Sequence, residues 1–192
     1  MRALTVIKLG GSHAFAPHLR DWLAAIAGCA GSMVLVPGGG PFADLVRDAQ
    51  ARIGFDDDAA HRMALLAMAQ YGCALASLNA QFTLAESKAE ITCALAERRV
   101  PVWLPSRMVL AAREIPWSWD VTSDSLAAWL AGELAASRLV LVKHGAARVD
   151  AEELAACGIV DPAFPQFLAR SGATATVLGA ADHAHLAARE LA

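Results

Sequence analysis

Two lysines in this chain lie at the ends of apolar runs, where a strand would meet a turn. Lys8 belongs to the run ALTVIKL and is followed by Gly10 and Gly11, and Lys143 ends the run RLVLVK at 138–143. A cation beside a glycine turn, whose bare backbone amides approach a ligand closely, suits an anion. A plain strand-to-helix turn explains the first motif equally well.

A second glycine turn repeats the arrangement. The apolar run at 33–36 is followed by PGGG at 37–40 and by Pro41, which suits the first turn of a helix. Three successive glycines cost considerable chain entropy, which favours a binding role over a simple crossover turn. Two such turns at one edge of adjacent strands could hold two anionic groups. Neither turn has the spacing of a Walker A loop or of a Rossmann fingerprint.

Acidic residues gather at a predicted helix start, WSWDVTSDSLAAW at 117–129. Thr122 or Ser123 can cap this helix, and Asp120 and Asp124 lie beside its first turn. Ordinary helix-end electrostatics would account for both acids. Beside a magnesium nucleotide they would instead orient a lysine or hold the metal.

Apolar periodicity supplies the elements that position these residues. Strands are predicted at 3–9, 33–36, 100–105, 138–143 and 174–178. Helices are predicted at 17–27, 41–53, 57–80, 84–98, from near 122, at 150–157, 162–170 and 181–191. The alternation predicts an α/β three-layer sandwich, a mostly parallel central sheet with helices on both faces and ligands at the carboxyl ends of the strands.

Composition narrows the class of protein. The 192 residues are 56% hydrophobic and 18% charged, with a net charge of -3 and scattered basic residues, so we expect a compact protein that binds neither nucleic acid nor membrane. Four cysteines, with no Cys-x-x-Cys pair, are interpreted as buried free thiols of a cytoplasmic protein. His183 and His185 are two apart, which makes them a poor metal pair.

The three motifs, in this order and spacing, resemble those of the amino acid kinase family, which includes acetylglutamate, aspartate, uridylate and isopentenyl phosphate kinases. The resemblance spans residues 6 to about 130, and the strand pattern continues it to about 180. It implies a single domain over 1–192, with an acceptor-side lobe at 1–136 and a reduced nucleotide-side lobe at 137–192. It also implies ATP and Mg²⁺ as cofactors and a homo-oligomer, for which the apolar helical segment 63–78 offers a surface.

The same resemblance assigns roles to residues. Lys8 and Asp124 are the expected catalytic residues: Lys8 contacts the transferring phosphoryl group and Asp124 organises the lysines. The expected phosphate-binding residues are Lys8, Gly10, Gly11, Ser12 and Lys143. The expected acceptor-binding residues are Gly38, Gly39, Gly40, Asp120 and Ser123. The turn at 143–147 departs from the family pattern, and no metal-ligating residue is assigned.

Within the family, residues 118–125 and the short chain most resemble the small kinases of methanofuran-type cofactor biosynthesis, which phosphorylate an aminomethylfuran-methyl phosphate with ATP. Two alternatives stay open. The acceptor could be a nucleoside monophosphate, an isoprenyl phosphate or an amino acid carboxylate. The chain could also be a binding or storage protein that keeps the anion site without turnover.

Overall fold

The protein forms one six-stranded parallel sheet with helices on both faces, which confirms the predicted three-layer α/β sandwich. The computed structural model describes residues 3–143 and 150–190. The strands are β1 Thr5–Leu9, β2 Met33–Pro37, β3 Phe82–Ala85, β4 Val100–Trp103, β5 Arg138–Val142 and β6 Thr174–Leu178. The helices are α1 Leu19–Ala27, α2 Gly40–Ile53, α3 Asp57–Ser77, α4 Lys88–Ala96, α5 Ser106–Val109, α6 Ser123–Glu133, α7 Ala151–Ala156, α8 Phe164–Ser171 and α9 His183–Glu190.

The strand order β3-β4-β2-β1-β5-β6 places β1 near the centre of the sheet. All five residues of β1 are buried, and Lys8 lies opposite Val36 of β2 and Leu141 of β5. Since side chains alternate between the faces of a strand, Lys8 points to the same face as Val6. The side chain of Lys8 therefore points from one face of the sheet towards the helices that cover that face.

Each face of the sheet is covered by its own apolar cluster. Val6 packs on the same face as Leu126 of α6 and Phe164 of α8. Ile7 packs on the opposite face with Trp22 of α1. Lys8 consequently faces the layer that contains α6, and the start of α6 is where Asp124 lies.

The expected helix at 84–98 is wrong in its first part. Phe82–Ala85 is an edge strand, β3, which pairs in parallel with β4. Helix α4 begins at Lys88, after Ser87 accepts a hydrogen bond from the backbone N–H of Glu90. Leu84, at helical spacing from Ile91, is 43% exposed, so the spacing that predicted a longer helix was accidental.

The cysteine prediction is also wrong in part. Cys29 is buried, but Cys73, Cys93 and Cys157 are exposed, because each lies on an outward face or end of a helix.

Across 3–143 and 150–190, no helix combines the length and the apolar character needed to cross a bilayer.

Candidate active site

The two lysines meet at the point where the strand order changes direction. The chain passes from β1 to β2 on one side of the sheet, and the later strands β5 and β6 lie on the other side of β1. Open parallel sheets bind ligands in the crevice at the carboxyl ends of the two neighbouring strands between which the order reverses. Here those strands are β1 and β5. Lys8 comes from β1, and Lys143 directly follows β5.

A single carboxylate, that of Asp124, contacts both lysines. Lys8 Nζ lies 2.9 Å from Asp124 Oδ1, and Lys143 Nζ donates a hydrogen bond of 2.6 Å to Oδ2. The side chains of Lys8, Asp124 and Lys143 are only 6%, 5% and 16% exposed. Buried charges are tolerated when they are paired. Two ammonium groups share one carboxylate here, which leaves one positive charge in excess.

The pKa shifts follow from this crowding. Burial by itself raises the pKa of the Asp124 carboxyl, but the charges of Lys8 and Lys143 outweigh burial and hold that pKa below its usual value. The pKa of Lys143 is lowered, first by burial and then by repulsion from Lys8, although Asp124 opposes both effects. A bound anion would relieve the repulsion between the lysines, so this cluster is suited to an anionic ligand.

The first turn of α6 is held by a carboxylate from a distant segment. Asp161, between α7 and α8, accepts hydrogen bonds from the backbone N–H groups of Thr122 and Ser125, both at 3.0 Å, and from the hydroxyl groups of the same two residues. Thr122 is the N-cap residue, as predicted, but its own side chain makes no capping hydrogen bond. Asp161 satisfies the free amides of the helix start and thereby fixes Asp124.

The two glycine turns lie against each other. A Cβ atom on Gly11 would fall 2.0 Å from the backbone N of Gly40, and one on Gly38 would fall 2.4 Å from the backbone N of Gly11. No side chain fits at such distances. Gly40 also has a φ of +57°, a conformation that favours glycine. Contact between the turns therefore accounts for part of the glycine pattern that favoured a binding role.

A cavity of about 290 Å³ opens beside the lysines. Most of the predicted site residues line it: Lys8, Gly10, Gly11, Ser12, Gly39, Gly40, Ser123 and Lys143. Asp124 lies behind the two lysines and contacts the cavity through them. The structure thus brings the three sequence motifs together around one space.

Besides Asp124, two predicted residues do not line this cavity. Gly38 packs on Gly11 in the contact between the glycine turns. Asp120 is exposed, and its backbone carbonyl accepts a hydrogen bond from the N–H of Ala163. Asp124 thus faces the lysines with both oxygens and without Asp120, whose expected role in binding the acceptor stays a prediction.

Helix α3 supplies an imidazole to the wall of the cavity. His61 lines the cavity, is 6% exposed, and stacks on Trp117 with ring centroids 5.6 Å apart and planes 8° from parallel. Burial first, and then the charge of Arg62, lower the pKa of His61. Within the described part of the chain, His61 Nε2 has no hydrogen-bond partner. A buried neutral imidazole at a cavity wall can donate to or accept from a ligand.

A chain of hydrogen bonds joins two polar side chains of the cavity wall, those of Trp119 and Asp57. Trp119 Nε1 donates to Gln50 Oε1 at 2.7 Å, and Gln50 Nε2 donates to Asp57 Oδ1 at 2.8 Å. The guanidinium group of Arg47 lies 4.5 Å from the Trp119 ring centroid. The lining also includes the apolar side chains of Leu65 and Met68. The cavity is therefore lined by two lysines, by apolar side chains and by a polar group that contains charges of both signs.

The residues present fit bound phosphate better than a metal ion held by protein ligands alone. Ammonium groups and the open amides of a helix start, such as Gly40 of α2, bind phosphate oxygens. Both oxygens of Asp124 are taken by lysines. Among the described residues, no group of three metal-ligating side chains lies at the cavity. Magnesium would thus enter with the phosphates that it accompanies.

Sequence reasoning missed several residues of this site. Asp161 is 36 residues from Ser125, and only the fold reveals that its carboxylate holds α6. Asp57 belongs to an acidic run whose neighbour Asp56 caps α3, so the sequence signal was that of a helix start. His61 carries no motif at all. The turn expected to differ from the family pattern, 143–147, lies outside the described residues after Lys143.

The chain resembles known proteins in both sequence and structure. Residues 3–146 match the sequence profile of the amino acid kinase family. The chain is 29% identical over 144 residues to the [5-(aminomethyl)furan-3-yl]methyl phosphate kinase of Methanocaldococcus jannaschii, which covers 71% of this chain and 63% of that relative. The chain therefore spans less than two thirds of the length of this curated relative.

Solved structures share the fold at low identity. Uridylate kinase from Archaeoglobus fulgidus superposes with a TM-score of 0.72 at 17% identity, over 98% of this chain and 95% of that one. UMP kinase from Ureaplasma parvum gives a TM-score of 0.70 at 17% identity, over 93% and 90%. At this identity the two structures establish the fold alone.

Proposed function

Because the chain belongs to the amino acid kinase family, we propose that it is a kinase that transfers the γ-phosphoryl group of ATP to a phosphorylated small molecule. The observation that carries the proposal is the pair of buried lysines on one carboxylate at the edge of a cavity. Phosphoryl transfer requires positioning and the neutralisation of charge on the equatorial oxygens. Ammonium groups and backbone amides supply both.

The roles follow from the placement of each group. ATP with Mg²⁺ supplies the transferable phosphoryl group when it is bound. Lys8, at the centre of the crevice, stabilises the charge of that group during transfer. Lys143 contacts a nucleotide phosphate, and Asp124 holds both ammonium groups in place. Gly10 and Ser12 line the donor side through the first glycine turn.

The acceptor occupies the part of the cavity next to the second glycine turn. Gly39 and Gly40 present the start of α2 to it, and Ser123 presents the start of α6. If the acceptor is itself a phosphate, its oxygens are already ionised at neutral pH. The chain then needs no general base, which suits a cavity whose reactive end consists of lysines.

For the acceptor we propose an aminomethylfuran-methyl phosphate. The relative from Methanocaldococcus jannaschii takes its name from a compound of this kind. Its phosphate suits the lysine end, and its flat ring suits the apolar lining by Leu65 and Met68. Its ammonium group suits the carboxylates of Asp44 and Asp57, which also line the cavity. The cavity lining therefore contains a partner for each of the three parts of this acceptor.

The alternatives predict different assay results. A nucleoside monophosphate, an isoprenyl phosphate or an amino acid carboxylate would be turned over in place of the aminomethylfuran compound. A binding or storage protein would bind ATP or an oxyanion with no turnover. ATP consumption, measured with each acceptor in turn, separates these outcomes. Binding without turnover on every acceptor would contradict the kinase proposal.

A matched pair of lysine variants tests the mechanism. Lys8→Ala should lower kcat by about 10²- to 10³-fold, because it removes a group that stabilises the transition state. Lys88→Ala is the control: Lys88 is about half exposed and pairs with Glu133 outside the cavity, so its loss should leave kcat unchanged. An active Lys8→Ala variant would rule out the proposed role of Lys8.

A third variant tests the acceptor. Asp57→Asn keeps the shape of the side chain but removes the charge that faces the ammonium group. We expect a KM about tenfold higher for the aminomethylfuran compound, with no such change for the analogue in which a methyl group replaces the aminomethyl group. An equal change for both compounds would mean that Asp57 does not bind the ammonium group.

We also propose a homo-oligomer. The predicted surface, 63–78, is only partly available, since Met68, Tyr71 and Leu75 are buried in the core. The exposed apolar side chains are Leu66 of α3, at 54%, and Leu45 and Ile53 of the adjacent α2, at 67% and 76%. Light scattering on the wild type and on Leu45→Glu would test this surface, and an unchanged mass in the variant would exclude Leu45 from the interface.

A further inference from the structure

Three potential metal ligands meet where the start of α9 lies against the start of α1. They are His18, Asp21 and His183, and one ligand atom from each lies within 4.8 Å of those of the other two. His18 Nδ1 is 3.7 Å from Asp21 Oδ2, and the His18 and His183 rings stack with centroids 6.1 Å apart. None of the three residues lines the lysine cavity. This cluster is separate from the proposed kinase site.

The surrounding packing positions the His183 ring. Trp22 of α1 is fully buried and meets that ring edge to face at 6.2 Å. The Trp22 Nε1 group donates a hydrogen bond of 2.7 Å to the carbonyl oxygen of Ala180, three residues before His183. The chain entering α9 is thus fastened to α1, and His183 is held beside His18.

One ring nitrogen of His183 is buried without a hydrogen bond to the described residues. His183 Nδ1 is buried and, among the residues that the structure describes, has no hydrogen-bond partner. Buried polar atoms are nearly always satisfied, and each exception calls for an explanation. A metal ion bound by the cluster would satisfy an imidazole nitrogen and would place a positive charge beside Asp21.

We infer that His18, Asp21 and His183 bind a divalent transition metal ion of the zinc type. Zinc takes imidazole nitrogen and carboxylate oxygen in tetrahedral sites, and three protein ligands leave the fourth position for water. Mg²⁺ and Ca²⁺ prefer all-oxygen sites, so two imidazoles discriminate against them. The side chain of Asp21 is 55% exposed and that of His18 is 43% exposed, so both can rotate to bind the ion.

Such an ion would join the last helix to the first. Leu186 of α9 is buried in the same apolar cluster as Trp22 and as Leu178 of the edge strand β6. Coordination by His183 would hold α9 over this cluster. Both histidines lie at helix starts, whose partial positive charge opposes a cation, and the carboxylate of Asp21 offsets that opposition.

The test uses the full chain without a histidine tag, after removal of metals with EDTA. Co²⁺ is added and followed by its visible absorption, and Zn²⁺ is added in competition with a chromophoric chelator. We expect one equivalent of either ion to bind. Zn²⁺ at a hundredfold excess over its Kd should raise Tm by about 5–10 °C, whereas Mg²⁺ should not.

Variants locate the bound ion. Asp21→Asn should weaken Zn²⁺ binding by about tenfold or more, and its exposed position makes unfolding an unsuitable explanation. His183→Ala should do the same. His185→Ala is the control, because His185 is 70% exposed and pairs with Asp182 outside the cluster.

Two results would overturn the inference: no saturable binding of one equivalent, or equal Zn²⁺ affinity in the wild type and in both ligand variants. Neither result depends on kinase activity, so the outcome stands apart from the proposed function.

Discussion

Replacing Asp124 with asparagine removes the single negative charge between two buried lysines. The amide has almost the same shape as the carboxylate, so the change tests charge and not packing. It leaves Lys8 and Lys143, whose ammonium groups both approach the same side chain, without the carboxylate that pairs with them. We expect the folded state to be destabilised, since a buried ion pair that loses one partner leaves an uncompensated charge.

The magnitude can be estimated from the two distances. At an effective dielectric constant of about 20, a pair of unit charges 2.9 Å apart attracts by about 6 kcal/mol, and the pair at 2.6 Å by slightly more. Burial of the three charges offsets most of this attraction. Loss of one partner of a buried pair costs about 3–5 kcal/mol, which corresponds to a fall in Tm of about 6–20 °C for a chain of this size.

Urea unfolding followed by tryptophan fluorescence measures the change in the free energy of unfolding. The matched control is Asp120→Asn, an exposed acid four positions away, which should change that free energy by less than about 0.5 kcal/mol. Adding Lys143→Met to Asp124→Asn should recover part of the loss, because one of the two repelling cations is gone. Equal stability of Asp124→Asn and the wild type would refute the view that Asp124 is the counter-charge of both lysines.

Three further outcomes are expected. Because its folded-state pKa is lowered, Asp124 contributes stability that is fully present above its unfolded pKa of about 4 and lost as pH falls through the folded pKa; acid titration of the unfolding free energy should show this loss in the wild type and not in Asp124→Asn. Asp161→Asn should cost about 1–3 kcal/mol in the same unfolding assay, since donors at the start of α6 lose their acceptor; an unchanged value would mean that water replaces the carboxylate. Gly11→Ala should cost about 1–3 kcal/mol or more and abolish ATP binding, because its Cβ would overlap Gly40, whereas Gly28→Ala, with its closest neighbour at 3.3 Å, is the mild control.

Most of the sheet could be predicted from the sequence, because buried parallel strands read as short apolar runs between helices. The strand β6 was predicted at 174–178, where the structure has it. The strand β3 was missed because it is a short edge strand of four residues, half of which are not buried, and its sequence FTLA continues into a helical pattern. The sequence pattern of a short segment does not show whether that segment will pair with the edge strand of a sheet.

The site was predictable as far as its residues lie in motifs. Lys8, Asp124 and Lys143 each lie at an element end, their roles were implied by the family resemblance, and the parallel topology brings those ends together. Asp161 and His61 were not identified, because their roles depend on contacts made across the fold. When a carboxylate from a distant segment caps a helix, the sequence around the helix start does not show it, because the two residues have no fixed spacing.

The glycine turns and the lysines differ in what they say about function. The glycines are needed for the fold itself, since the two turns approach too closely for a side chain at Gly11 or Gly38. The lysines are not, because a strand end facing α6 could carry an apolar residue at no electrostatic cost, and apolar residues often replace buried charges without loss of stability. Charges that the fold does not require, held together on one carboxylate and opening into a cavity, are best explained by a ligand of opposite charge. The strongest functional signal in this chain is therefore Lys8 with its partners and not the glycines that follow it.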